Sequence, residues 1–314
     1  MRPNASVLLL TVSTGFGYGL LAWLGVDSAL RLLPAAHMRT LVATGVALSL
    51  IFVSIGLVAS GFHLGRKERA WRAFSQWRSS WLSREAVASV MTYPIAIAFG
   101  IMVWRHGDGV WARVVGAAAL AGSIGTVYCT AMIYASLKPI RQWHNSHTVP
   151  DYLVFAAFSG ALLFAVLRTA LIGRPGAFAS TAAIAAAALA LVAKSAYWRH
   201  IDSQKPLATL AAAIGLPKGT EARPLDAPHF TENFVLREMG FAIARRHAAK
   251  LRLLVLAIGF VSPLAFSGLA GLGLAPMPTT TLALVSAALG LLMERWLFFA
   301  EATHVSALYY GRSI

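Results

Sequence analysis

Four residues carry groups that could handle protons, or hold a polar head group, near a membrane surface. His63 stands in Gly61-Phe-His-Leu-Gly65, Arg72 in Arg72-Ala-Phe74 and Glu85 in Trp81-Leu-Ser-Arg-Glu85. His304 closes the stretch that begins at Glu294 and includes Glu301. Ionisable side chains at membrane depth are costly to place, and that cost makes them functional candidates. A carboxyl, an imidazole and a guanidinium gathered at one depth suit a quinone. Its ring is apolar, its carbonyls accept hydrogen bonds, and its reduction takes two protons with two electrons. A Glu or His at the membrane edge can pass those protons to water.

Each residue has a plainer reading beside this one. Glu85 fits a carboxylate at a helix N-terminus, where the dipole favours it. His63 fits a helix-end cap, and Arg72 a contact to lipid phosphate. Glu294 and Arg295 lie deeper and are expected to pair between helices. Tyr93, Tyr128 and Tyr134 fit a head-group contact, but aromatic-belt positions account for them more simply. Haem b needs two histidines at equal depth on different helices. His63 and His304 are the pair available, and their place near the rim disfavours haem.

Elements of membrane-spanning type must position these groups. Of the 314 residues, 58% are hydrophobic and only 12% charged, with a mean hydropathy of +0.66. A soluble domain carries about 25% charged residues. Half that density leaves lipid as the solvent for most of the surface. The net charge of +15 would suggest nucleic acid in a soluble chain, but here it reads as a topology signal and a docking face. Cys129 is the single cysteine. It excludes an internal disulfide and any cysteine-held cluster, and is expected as a small buried hydrophobe.

Eight windows reach the roughly 20 apolar residues that a spanning helix needs. They run approximately 5–26, 41–61, 85–104, 111–136, 152–173, 177–198, 251–273 and 279–309, the last long enough to project beyond the lipid. Backbone amides in lipid must be satisfied locally, so helix is the expected state, and no short alternating segments suggest a barrel. The expected fold is therefore all-α, a polytopic bundle of eight transmembrane helices. The first window is too long for a signal peptide and lacks a clear cleavage site, so it reads as a retained helix. Small residues are dense in the fourth and sixth windows, which permits close helix packing. Pro94 and Pro263 fall inside windows and are expected to kink them.

The loops orient the bundle. Nineteen lysines and arginines fall on the side that holds both termini, against six on the other. That bias puts both termini in the cytoplasm of a bacterial inner membrane. Residues 1–314 then read as one membrane domain, with 199–250 as a long cytoplasmic loop. Helices are expected in it at 207–216 and 233–250. The loop after the second window is shorter and very basic. Its Arg66, Lys67, Arg69, Arg78 and Arg84 are docking candidates for a partner protein.

Three stretches resemble the DmsC family, the membrane-anchor subunits of dimethyl sulfoxide reductase. They are Ser60-Gly-Phe-His-Leu-Gly65 with Arg72-Ala-Phe74 and Trp81-Leu-Ser-Arg-Glu85-Ala; Tyr134-Ala-Ser-Leu-Lys-Pro-Ile-Arg-Gln-Trp143; and Glu294-Arg-Trp-Leu-Phe-Phe-Ala-Glu-Ala-Thr-His304. The eight-span plan matches over essentially the whole chain. The resemblance implies an anchor that performs no molybdenum chemistry itself. Such anchors hold a molybdenum bis-pterin catalytic subunit and a four-cluster iron–sulfur subunit on the membrane. They exchange electrons between the quinone pool and the nearest cluster. His63, Gly65, Arg72, Phe74 and Glu85 match the family's quinone-site pattern, and His304 joins them on the residue reading above. The loop between Phe74 and Glu85 is shorter than in the prototype.

The motif loops lie on the basic side, so partners are expected in the cytoplasm. That arrangement, with Asn233-Phe-Val-Leu-Arg-Glu-Met-Gly-Phe241, resembles the anchors of cytoplasm-facing sulfite dehydrogenases, in which electrons run from sulfite to quinone. The alternative within the family is a terminal reductase that oxidises quinol. An Ala- and Arg-rich composition favours ubiquinone over menaquinone. A secondary transporter is the rival outside the family, but it calls for internal repeats and broken helices, which this sequence lacks.

Overall fold

In a computed structural model, residues 3–32, 35–62, 66–204, 209–217, 219–222, 225 and 247–310 are described. Eight long helices dominate: α1 (Ala5–Leu30), α2 (Ala35–Gly61), α3 (Trp81–His106), α4 (Val110–Ala135), α5 (Thr148–Ile172), α6 (Gly176–Ser203), α7 (Ala248–Gly271) and α8 (Pro276–Ala300). They are 24 to 28 residues long. At about 1.5 Å per residue each exceeds the roughly 30 Å of a hydrocarbon core. All eight are apolar enough to cross it, so the chain is a multi-pass membrane protein. No strand occurs among the described residues, only an isolated antiparallel bridge between Ile140 and His304.

The helix α1 sits at the centre, packed on α2, α4 and α5, while α3 lies on α4 and α2. The other half of the bundle is α5 through α8, with α6 on α5 and α8 on α5 and α7. Lipid supplies no hydrophobic drive between helices, so close contact must come from small residues. A Cβ on Gly160 would fall 2.0 Å from the Gly19 carbonyl carbon, and one on Gly290 would fall 2.0 Å from the Gly259 Cα. These two crossings hold α5 on α1 and α8 on α7.

Pro263 acts differently from a simple kink. Its missing N–H and bulky ring free the carbonyl of Gly259, and residues Val255–Val261 widen into a π-helical turn immediately before it. Gly259 in that turn packs against Gly290 of α8.

Several expectations need correction. The last helix stops at Ala300 rather than running to 309. The chain instead turns back: the Gln142 amide donates to Thr303 Oγ1 at 2.9 Å and its carbonyl accepts from Thr303 N, while Trp143 Nε1 donates to the Phe298 carbonyl. A 3-10 turn at Val305–Tyr310 follows. The helix expected at 207–216 is a single turn, Leu210–Ala213, capped by Thr209. The one expected at 233–250 lies outside the described residues up to 246, and Ala248 already begins α7. The basic loop after α2 is a 3-10 helix, Lys67–Phe74.

Candidate functional site

The bundle end that carries the starts of α1, α3, α5 and α7 holds most of its buried polar chemistry. Glu85 lies one turn into α3 and is only 7% exposed. Its Oε1 accepts a 2.6 Å hydrogen bond from Thr130 Oγ1 on α4. Among the described residues, no lysine, arginine or histidine forms an ion pair with it. This is an unusual carboxyl, because burying a charge normally requires a cation close by. Hydroxyls continue from it along the α3–α4 seam. Ser89, Thr92, Ser123 and Thr126 are all buried there, and Thr92 Oγ1 meets Thr126 Oγ1 at 3.4 Å.

A second group of ionisable residues lies across the same end. Lys194 on α6 sits 2.5 Å from Glu294 on α8 and 3.7 Å from Asp151 on α5. Arg295 pairs with its neighbour Glu294 at 2.5 Å and stacks over Tyr152 and Phe298. Two acids and two bases thus balance, and they tie three helices together. The expected interhelical pairing of Glu294 holds through Lys194, whereas Arg295 pairs within its own helix. Lys194 and Asp151 are not among the sites expected from sequence. A lone lysine or aspartate in an apolar run is itself the signal that finds them. Farther out, Arg252 bridges Asp202 at 2.6 Å and Glu301 at 2.8 Å.

One small cavity lies between these groups, and a larger one lies deeper in the bundle. The smaller, about 30 Å³, is lined by Thr130, Thr11, Thr14, Ser159, Tyr152 and Arg295. That is room for about two waters. Among the described residues, neither Arg295 Nη1 nor the Tyr152 hydroxyl beside it has a hydrogen-bond partner. The larger cavity, about 260 Å³, lies between α1, α4 and α5 and is almost wholly apolar, with Tyr18, Trp23, Ser123 and Leu153 in its wall. Val127 and Ala156 line both cavities.

Of the remaining expected site residues, the described ones do not converge on Glu85. Arg72 and Phe74 are exposed on the 3-10 helix, Phe74 at 44%, and the Arg72 guanidinium lies over Trp71 at 5.7 Å. His304 is half-buried, and its Nδ1 accepts from Ser306 N at 3.1 Å, capping the last 3-10 turn. His63 and Gly65 lie outside the described residues. Among the docking candidates, Arg66, Arg69 and Arg78 are exposed. Nothing is described of the Lys67 side chain. Arg84 is turned inward onto its own loop: it donates to the carbonyls of Trp77 and Arg78 and stacks over Trp81 at 4.2 Å.

The tyrosines also separate. Tyr93 bonds Ser54 at 2.7 Å, Tyr128 lies against Trp81, and Tyr134 is enclosed by Trp143, Tyr152, Phe298 and Phe299. Cys129 is half-buried rather than buried. At the surface of this end the rings of His147 and His200 stand 4.6 Å apart. Partial burial and the nearby His200 lower the His147 imidazole below its ordinary range.

The family model for the DMSO reductase anchor subunit (DmsC) matches residues 3–301. The chain belongs to the DmsC family. It is 34% identical, over 99% of both chains, to a subunit of the sulfite dehydrogenase of Allochromatium vinosum. It is therefore a membrane anchor of a multi-subunit oxidoreductase of the DMSO reductase type, which carries its catalytic chemistry on other subunits. Two of the segments that carry the resemblance, 134–143 and 294–304, interlock through Gln142, Trp143, Phe298 and Thr303.

Proposed function

We propose that this chain passes electrons from an iron–sulfur partner to a quinone, in a complex whose molybdenum subunit oxidises sulfite. The observation that carries the reading is Glu85. It is a buried carboxyl at the basic end of the bundle, held by a hydroxyl and, among the described residues, by no cation. A carboxyl so placed can gain and lose a proton without breaking an ion pair, as a group serving quinone reduction must. The tetrad of Asp151, Lys194, Glu294 and Arg295 lacks that freedom.

The likeness to a sulfite dehydrogenase subunit over the full chain supports sulfite as the electron source. The 19-to-6 bias in basic residues supports partners on the cytoplasmic side of a bacterial inner membrane, with both termini there. Arg66, Arg69, Arg72 and Arg78, together with exposed Trp71 and Trp77, form a basic, aromatic platform for the iron–sulfur subunit. Ubiquinone is the acceptor proposed. The quinone supplies the two-electron chemistry, and Glu85 supplies and receives the protons.

Glu85→Gln tests this in the intact complex. The exchange keeps the acceptor oxygen for Thr130 and removes the proton. Sulfite-dependent reduction of a short-chain ubiquinone should fall about a hundredfold or more, with all subunits still assembled. Unchanged turnover would rule the assignment out.

A further inference from the structure

Glu85 raises a geometric problem, because the cavity beside its partner Thr130 holds only about 30 Å³. A quinone ring does not fit there. A cavity that is large enough, about 260 Å³, lies between α1, α4 and α5 and has Tyr18 and Ser123 in its wall, whereas a wider one of about 510 Å³ between α1 and α2 is shallow and lined by Ser6, Ser54 and apolar side chains. The former opens toward lipid past half-exposed Ile124, which is the direction from which an apolar quinone arrives. Its wall includes Tyr18, 2% exposed.

Tyr18 connects that cavity to Glu85. Its hydroxyl faces Ser89 on α3 and Thr126 on α4. Among the described residues, neither the Tyr18 hydroxyl nor Ser89 Oγ completes a hydrogen bond. Leaving buried hydroxyls unpaired is costly, and a packing role alone would be met by Phe and Ala. From Thr126 the seam runs to Thr92 at 3.4 Å and, one helical turn away, to Thr130, whose Oγ1 reaches Glu85 at 2.6 Å. Ser89 likewise stands one turn from Glu85. The line from Tyr18 to Glu85 covers about four residues of α3 or α4, about 6 Å. A hydroxyl both donates and accepts, so each step hands on one proton while taking another. The path needs one water across each one-turn gap.

We propose that the quinone head binds in the α1–α4–α5 cavity against Tyr18, and that Tyr18, Ser89, Thr126 and Thr130 relay its protons from Glu85. This rests on the quinone reading above and moves the head group about 6 Å deeper than Glu85. Two electrons from the iron–sulfur partner and two protons from the relay reduce one quinone to quinol. Each proton lost by Tyr18 to a quinone oxygen is replaced along the seam from Glu85, which recharges from water at the bundle end.

The test uses the intact complex, with sulfite as donor and a short-chain ubiquinone as acceptor. Tyr18→Phe and Thr126→Val should each lower kcat about tenfold or more, with KM little changed and a larger solvent deuterium isotope effect. Thr126→Ser, which returns the hydroxyl, should restore the rate. Ala157→Trp, which fills the cavity, should raise KM about tenfold. The relay is overturned if Tyr18→Phe and Thr126→Val turn over at the wild-type rate while Glu85→Gln does not. It is equally overturned if Thr126→Ser is as slow as Thr126→Val. Turnover surviving in Glu85→Gln brings down the quinone reading itself.

Discussion

Glu85 and Glu294 are buried near the same end of the bundle, and their surroundings are opposite. Glu294 is fully enclosed between Lys194 and Arg295, and Asp151 completes a neutral set. Glu85 has one hydroxyl and a seam of further hydroxyls behind it. Removing one member of a balanced set strands a charge in a medium that cannot solvate it. Protonating Glu85, which has no counter-charge among the described residues, strands nothing. The first arrangement therefore braces α5, α6 and α8, and the second is the one we propose titrates. A third buried pair, Arg168 with Asp27 at 3.2 Å, repeats the bracing logic at the opposite end of the bundle.

The largest expected effect falls on the brace. Lys194→Met should cost about 3–5 kcal/mol, read as earlier thermal unfolding of the detergent-solubilised complex. Adding Glu294→Gln should recover more than half of the loss, since Asp151 and Arg295 then remain as a balanced pair. That double variant should also retain quinone turnover within about threefold of wild type. A wild-type unfolding temperature in Lys194→Met would break the comparison from one side. Glu85→Gln should sharpen it from the other: its stability should stay within about 1 kcal/mol of wild type, even as quinone turnover is lost. Arg31→Ala, which removes an exposed partner of Asp108, should change stability by about 0.5 kcal/mol or less.

The smallest effect concerns pH. His147 binds its proton less readily in the folded chain than in the unfolded one. Stability is thus kept above the ordinary imidazole range, near about 6.5, and declines as pH falls through it. His147→Gln should flatten the decline in a pH series of unfolding temperatures, and an unchanged slope would assign it to other groups.

The eight spans are legible in the sequence because lipid leaves helix as the one state for a long apolar run. Their ends are less so. The last helix reads as reaching 309, because 301–309 is apolar enough to continue. What stops it is the partnership of Gln142 with Thr303, made by residues 161 apart. Glu85 is legible as a candidate through its place in a motif. The wider cluster of His63, Arg72 and His304 rests on shared depth alone. Depth does not say which way a side chain points, and Arg72 points outward while His304 caps its own turn. Thr130 and Tyr18 carry no signal, since one Thr or Tyr in a span is ordinary. Only the helix pairing brings them to Glu85 and to the cavity.

The most direct test of the central claim compares two acceptors in one preparation of the Glu85→Gln complex. A water-soluble dye that takes electrons from the iron–sulfur subunit reports everything upstream of the anchor, and a short-chain ubiquinone reports the anchor as well. The account expects wild-type sulfite oxidation with the dye and a loss of about a hundredfold or more with the quinone. Equal rates with both acceptors, at the wild-type level, would contradict it.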